Sequence, residues 1–127
     1  MPRIKHLAIF AKDQLKMVEF YQSTFGMKQV HQHDAYGDPS RQAYYLSDGY
    51  INLAILPARA ERPEWIDHFG FEVEYLPATA AEALANSATK GIAEVPQDGR
   101  FAEGFIRDPS GTRVDLPQVG WLTEAVG

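Results

Sequence analysis

The sequence predicts an α+β fold made of two copies of a strand-helix-strand-strand-strand unit, and three observations predict it. Ile4-Lys5-His6-Leu7-Ala8-Ile9-Phe10 returns about 62 positions later as Ile66-Asp67-His68-Phe69-Gly70-Phe71-Glu72, the kind of self-similarity that marks a repeated architecture. The ends of the halves rhyme as well, Ile51-Asn52-Leu53 in the first and Val114-Asp115-Leu116 in the second. Each half also reads as one helical period set among short period-two stretches, which places helices on one side of a sheet.

Taken in order, residues 3–10 read as a strand, with His6, Ala8 and Phe10 on one face and Leu7 and Ile9 on the other. Asp13 caps a helix over about 14–25, whose Met17, Phe20, Tyr21 and Phe25 form an apolar stripe, and Gly26 ends it. Strands are predicted at 27–33, 42–47 and 50–56, with Asp48-Gly49 as a two-residue hairpin turn between the last two. Residues 57–65, with Pro57 and Pro63, form a linker. The second half repeats the order: a strand at 67–74, then a helix at about 79–90 that opens on the capping box Thr79 and Glu82 and closes at Gly91. Strands at 92–95, 101–107 and 112–116 complete it, the last two joined by the turn Asp108-Pro109-Ser110-Gly111. The expected organisation is one domain over 1–127: module one at about 3–56, the linker 57–65, module two at about 66–117, and a tail at 118–127 carrying Trp121.

Bulk properties narrow the function. A chain of 127 residues suffices for one core and not for two. Net charge is −5 with no lysine or arginine cluster, which argues against a nucleic-acid or anionic-membrane surface. No apolar run approaches the length of a membrane span and no leader pattern is present, so cytoplasmic residence is expected. With no cysteine, any metal must be held by nitrogen and oxygen.

The module order, the paired histidines and the phrase Arg107-Asp108-Pro109-Ser110-Gly111-Thr112-Arg113-Val114-Asp115-Leu116 resemble the vicinal oxygen chelate superfamily, over about residues 3–117. That group includes glyoxalase I, methylmalonyl-CoA epimerase, extradiol dioxygenases and the bleomycin and fosfomycin resistance proteins. The resemblance implies two βαβββ modules forming a curled, cup-shaped mixed sheet with the helices on its convex side. Parity then puts Leu7, Ile9, Ile51, Leu53, Ile55, Phe69, Phe71, Val73, Val114 and Leu116 toward the helices, and His6, Asn52, His68 and Asp115 inside the cup. Polar groups gathered there cost about 1–3 kcal/mol each if unpaired, and a bound metal supplies a reason for them.

By this resemblance His6, His68 and Asp115 match the metal-ligand positions, and two imidazoles with one carboxylate form a facial triad that leaves room for a bidentate substrate or O₂. Metal-binding relatives mostly carry glutamate where this chain has Asp115, and glyoxalases and epimerases have Glu or Gln at Asn52. An amide is no general base at neutral pH, so Asn52 points away from the glyoxalase reading and toward the ring-cleaving dioxygenases. Asn52, Tyr50, Arg113 and Phe101 are the candidate substrate-binding residues, Arg113 sharing the parity of Asp115 and offering a bidentate grip on a carboxylate. Tyr44, Tyr45 and Phe105 read as core or surface aromatics, His31 and His33 as solvated, and Arg107 as the partner of Asp108 or Glu103. No general base is identifiable.

The expected protein is therefore a metal-dependent enzyme acting on a small substrate with vicinal oxygens, of dioxygenase type, with Fe(II) favoured and Zn, Ni, Co or Mn as alternatives. The alternatives in function are a glyoxalase- or epimerase-like lyase or isomerase, and a metal-free ligand-sequestering protein. A homodimer of C2 symmetry is expected, in which the two modules of a site come from one chain or from two.

Overall fold

A computed structural model describes residues 2–30, 42–90 and 104–116. The elements are β1 (Arg3–Ala11), α1 (Gln14–Phe25), β2 (Lys28–Gln29), β3 (Tyr44–Ser47), β4 (Asn52–Pro57), β5 (Trp65–Glu72), α2 (Leu76–Ala85), β6 (Gly104–Arg107) and β7 (Arg113–Leu116). The expected strand at 92–95, the start of that at 101–107, and Gly91, His31, His33, Phe101, Glu103 and Trp121 lie outside the described residues.

The strands form a seven-stranded mixed sheet in the order β2-β3-β4-β1-β5-β7-β6. Its centre is the seam between the halves, where β1 runs antiparallel to β5 within one chain. Beside the seam, β4 lies parallel to β1 and β7 lies parallel to β5. The halves of a single chain thus meet edge to edge, and no second subunit is needed to bring His6 to His68.

Side-chain alternation sorts the two faces as expected. Toward α1, Ile9, Ala11, Leu46, Leu53 and Ile55 pack with Val18 and the partly buried Met17 and Tyr21. Toward α2, Val73, Val114 and Leu116 pack with Phe69, Phe71 and Leu76. On the opposite face of the first half, Ala8, Phe10, Tyr45, Ala54 and Leu56 cluster with Val30, so Tyr45 belongs to the core. Burying each such aliphatic side chain contributes about 1.5–3 kcal/mol.

Helix α1 keeps its predicted bounds. The Asp13 carboxylate accepts from the Lys16 N–H at 3.0 Å, and Gly26 takes the left-handed conformation (φ 69°) that closes the helix. Its stripe is narrower than expected, because Phe20 and Phe25 are exposed. Two further expectations are corrected. Helix α2 starts at Leu76, three residues before the supposed cap, so Thr79 lies inside it; Tyr75 is the N-cap without a side-chain hydrogen bond, and Pro77 occupies the first turn, where its missing N–H costs nothing. The β3–β4 connection is also longer than two residues. Ser47 pairs with Asn52, leaving Asp48, Gly49, Tyr50 and Ile51 in the loop. The Asp48 carboxylate accepts from the Tyr50 and Ile51 N–H groups at 2.8 and 2.9 Å, replacing the backbone bonds of a tighter turn.

Candidate metal centre

One row of residues crosses the middle of the sheet on the face away from the helices. His6 on β1 pairs with Asn52 on β4 and with Gly70 on β5, and Gly70 pairs with Asp115 on β7. His68 stands two residues from Gly70 on the same strand and pairs with Ala8. The repeat is therefore not a strict twofold: His6 faces Asn52 directly, whereas Asp115 faces Gly70 rather than His68.

His6, His68, Asn52 and Asp115 are all buried. One ligand atom from each of His6, His68 and Asp115 lies within 4.8 Å of the others. The two Nε2 atoms are 3.2 Å apart, and His68 Nε2 is 3.2 Å from Asp115 Oδ2. The other oxygen of Asp115 accepts from Arg113 Nε at 2.7 Å, and the Arg113 guanidinium stacks 4.5 Å above the Phe105 ring. On its far side His68 Nδ1 is 2.7 Å from Asp67 Oδ2.

Electrostatics follow from this packing. Burial, reinforced by the neighbouring His68, lowers the His6 imidazole from 6.5 to about 3, so it is a neutral nitrogen donor. Burial alone would raise the Asp115 carboxyl, but the hydrogen bond and charge of His68, with those of Arg113, outweigh it and hold the group at about 2. Asp67 behaves likewise: burial acts upward, and hydrogen bonds from His68 and Arg62 carry it below the ordinary carboxylate range.

These facts test whether the residues suit a metal. An ionised Asp67 can only accept, so His68 Nδ1 carries a proton toward it, and Nε2 is the nitrogen left to face the site. That nitrogen lies 3.2 Å from Asp115 Oδ2. An imidazole nitrogen and a carboxylate oxygen this close share a cation, either a proton on Nε2 or a metal ion in its place. Two nitrogens and one oxygen are the donor set of a two-histidine, one-carboxylate site. The residues fit the group.

A family model described as Glyoxalase/Bleomycin resistance protein/Dioxygenase superfamily matches residues 3–116. The chain belongs to that superfamily. Solved structures with the same fold include a hypothetical protein, BH1468, from Bacillus halodurans C-125, at 16% identity with TM-score 0.71, covering 97% of this chain and 98% of that one. Methylmalonyl-CoA epimerase from Mycobacterium tuberculosis matches at 17% identity and TM-score 0.69, with 91% and 88% covered. A mutant of 4-hydroxymandelate synthase from Streptomyces coelicolor matches at 19% identity and TM-score 0.69; 94% of this chain covers 40% of that longer one. At these identities the likeness is one of fold. No curated protein sequence matches the chain significantly.

Within this superfamily fold the remaining candidates take definite places. Tyr50 is exposed in the β3–β4 loop, and its carbonyl accepts from Lys5 Nζ at 3.0 Å. Arg107 donates from Nη1 to the Gly111 carbonyl at 3.0 Å, and Glu103, one of its two expected partners, lies outside the described residues. Three residues of the site were not anticipated: Gly70, Asp67 and Arg62. Gly70 had a readable signal, since an isolated glycine between Phe69 and Phe71 in a strand marks close approach. Asp67 and Arg62 had none beyond adjacency to His68 and to the linker.

The lowered His6 value makes an acid-stability prediction for the metal-free protein. The unfolded histidine takes up a proton near pH 6.5 while the folded one resists until about pH 3, so stability is complete above the unfolded value and is lost as pH falls between them. Asp115, also lowered, loses its contribution in the same direction, between its ordinary 3.8 and about 2. Denaturant unfolding at about pH 7 and pH 4 should differ by up to about 3 kcal/mol, nearly all of it from His6 in that window. Equal midpoints would contradict a buried, neutral His6.

Proposed function

We propose that this superfamily member is a metal-dependent enzyme that takes a small substrate through two adjacent oxygens, with oxygenase-type chemistry. The supporting observation is the burial of two imidazoles and one carboxylate, from β1, β5 and β7, with ligand atoms within 4.8 Å. His6, His68 and Asp115 would hold the ion, with Fe(II) favoured and Zn, Ni, Co or Mn as alternatives. When bound, such an ion supplies Lewis-acid chemistry toward vicinal oxygens or one-electron chemistry toward O₂.

The chain's own residues favour the second of these. Epimerisation and glyoxalase-type isomerisation require a base to remove a carbon-bound proton and an acid to return it. Asp115, drawn to about 2 by its partners, is a weak base, and Asn52 cannot act as one. Among the described residues no other carboxylate is buried. Asn52 would orient substrate through its amide, and Arg113, Tyr50 and Phe101 would contact its remainder. Charge bears on the substrate class. Asp67 is balanced by Arg62 and Asp115 by Arg113, so a divalent ion on two neutral imidazoles leaves an excess of positive charge. That excess suits an anionic pair of oxygens, as in a catecholate or a 2-oxo acid.

We further propose a cytoplasmic C2 homodimer, for which the exposed Trp65, Ile66 and Phe20 offer apolar surface. A monomeric mass by light scattering at micromolar concentration would contradict the dimer. Among the described residues no helix is long and apolar enough to cross a membrane.

Protein purified without chelators should contain a transition metal, and after anaerobic loading with Fe(II) it should consume O₂ with a catechol or a 2-oxo acid. Less than about a tenth of an equivalent of any such metal would overturn the metal-dependent reading. Turnover with Ni, Co or Zn in the absence of O₂ would instead support the lyase or isomerase alternative.

A further inference from the structure

The two histidines of the site share a local irregularity. Along the β1–β5 seam Ile4 pairs with Phe71 and His6 with Gly70, so Lys5 is an extra residue on β1. Further along, Ala8 pairs with His68 and Ile9 with Ile66, so Asp67 is an extra residue on β5. Each histidine is thus preceded by a bulge, a device that re-aims a side chain out of strict alternation. In the first half the bulged residue turns away from the histidine, since Lys5 Nζ donates to the Tyr50 carbonyl at 3.0 Å. In the second half it turns toward it: Asp67, which simple alternation would place on the opposite face, has Oδ2 2.7 Å from His68 Nδ1.

A third residue holds Asp67 in place. Arg62 Nη1 reaches Asp67 Oδ1 and Oδ2 at 2.8 and 2.9 Å. Arg62 comes from the segment expected to be only a linker. Its backbone is fixed by reciprocal N–H to carbonyl bonds with Arg59, both 2.9 Å, and its guanidinium lies 5.8 Å from the Phe10 ring centroid.

We propose that Asp67, clamped by Arg62, is a positioning residue that fixes His68 in the Nδ1–H tautomer and aims Nε2 at the site shared with His6 and Asp115. This rests on the metal-dependent reading for its consequence, though not for its geometry. A carboxylate accepting from the outer nitrogen of a ligating imidazole sets the tautomer, restrains the ring and increases the basicity of the ligating nitrogen. The bulged residue before His6 is a lysine, so this carboxylate support belongs to the second bulge.

The test uses the full chain, stripped of metal and titrated with Zn(II), with nitrogen-15 NMR of the imidazoles read on the metal-free protein at about pH 8, above the ordinary imidazole range. In the wild type, His68 should show a proton on Nδ1. Asp67→Ala should remove that preference and weaken Zn(II) binding about 10–100-fold. Asp67→Asn, which still offers an oxygen acceptor, should keep the tautomer and lose less affinity. Arg62→Gln, which leaves the carboxylate in place, should weaken binding by less than Asp67→Ala. A carboxylate serving only to pin the linker would lower the melting temperature of all three variants without moving the tautomer.

An Asp67→Ala variant that binds Zn(II) within about threefold of the wild type, or a wild-type His68 with a bare Nδ1, would overturn the proposal. If the wild type takes up no ion, the metal reading fails; the tautomer measurement then judges the role of Asp67 by itself.

Discussion

His68→Ala is expected to abolish metal uptake while leaving a folded protein. His68 supplies the donor that lies nearest to both other ligands, 3.2 Å from His6 Nε2 and 3.2 Å from Asp115 Oδ2. Without it only one nitrogen and one carboxylate remain, and affinity for Zn(II) or Fe(II) should fall by more than about 100-fold, beyond the range for outer partners. The fold should survive, because each carboxylate that His68 touches keeps a guanidinium: Asp67 keeps Arg62 and Asp115 keeps Arg113. The stability loss should therefore stay near the cost of a buried large-to-small change, about 2–4 kcal/mol. Metal analysis beside a denaturation curve separates the two effects. A folded His68→Ala protein with an undiminished metal content would contradict the site.

Gly70→Val is expected to close the site from the floor. Gly70 sits in the row between His6 and Asp115, on the face that carries the ligands. A Cβ added there would lie 3.1 Å from the Asp115 backbone oxygen, 3.3 Å from its Cβ and 3.5 Å from the His6 Cβ. Backbone cannot yield as a flexible side-chain tip can, so even alanine forces β5 and β7 apart, and valine adds branches that fill the space between the ligands. Overpacking of this kind costs about 1–3 kcal/mol, and metal affinity should drop at least about tenfold as the ligand atoms separate. Gly70→Ala should show the same two effects at smaller size. Wild-type stability and metal content in Gly70→Val would mean that the cup floor is not where the ion binds.

What the sequence disclosed follows the range of the forces involved. Period-two alternation is a property of the backbone, so the faces of β1, β4, β5 and β7, and with them the burial of His6, Asn52, His68 and Asp115, could be read directly. The Asp13 cap and the Gly26 stop are equally local, and helix α1 kept its bounds. Errors arose where tertiary packing overrode a local motif: Thr79 and Glu82 have the spacing of a capping box, yet Leu76 packs against the cluster of Val73, Val114 and Leu116 and pulls the start of α2 forward. The Asp48 loop differs for a local reason instead: its own carboxylate takes the Tyr50 and Ile51 N–H groups that a shorter turn would leave to the backbone. The site was legible in its ligands and illegible in their support. The offset between β1–β4 and β5–β7 pairing, which sets Asp115 beside Gly70, and the bulge that turns Asp67 toward His68 depend on register across a seam between distant segments. Parity also put Arg113 on the same face as Asp115, but only the structure shows its Nε donating to that carboxylate.

The central claim is that three side chains distant in sequence converge on one divalent ion. Anomalous diffraction from a crystal of metal-loaded protein, collected at the absorption edge of the ion, tests it most directly. The expected result is a single strong peak bounded by Nε2 of His6, Nε2 of His68 and a carboxylate oxygen of Asp115. A peak elsewhere, or loaded crystals with no peak among these three residues, would contradict it.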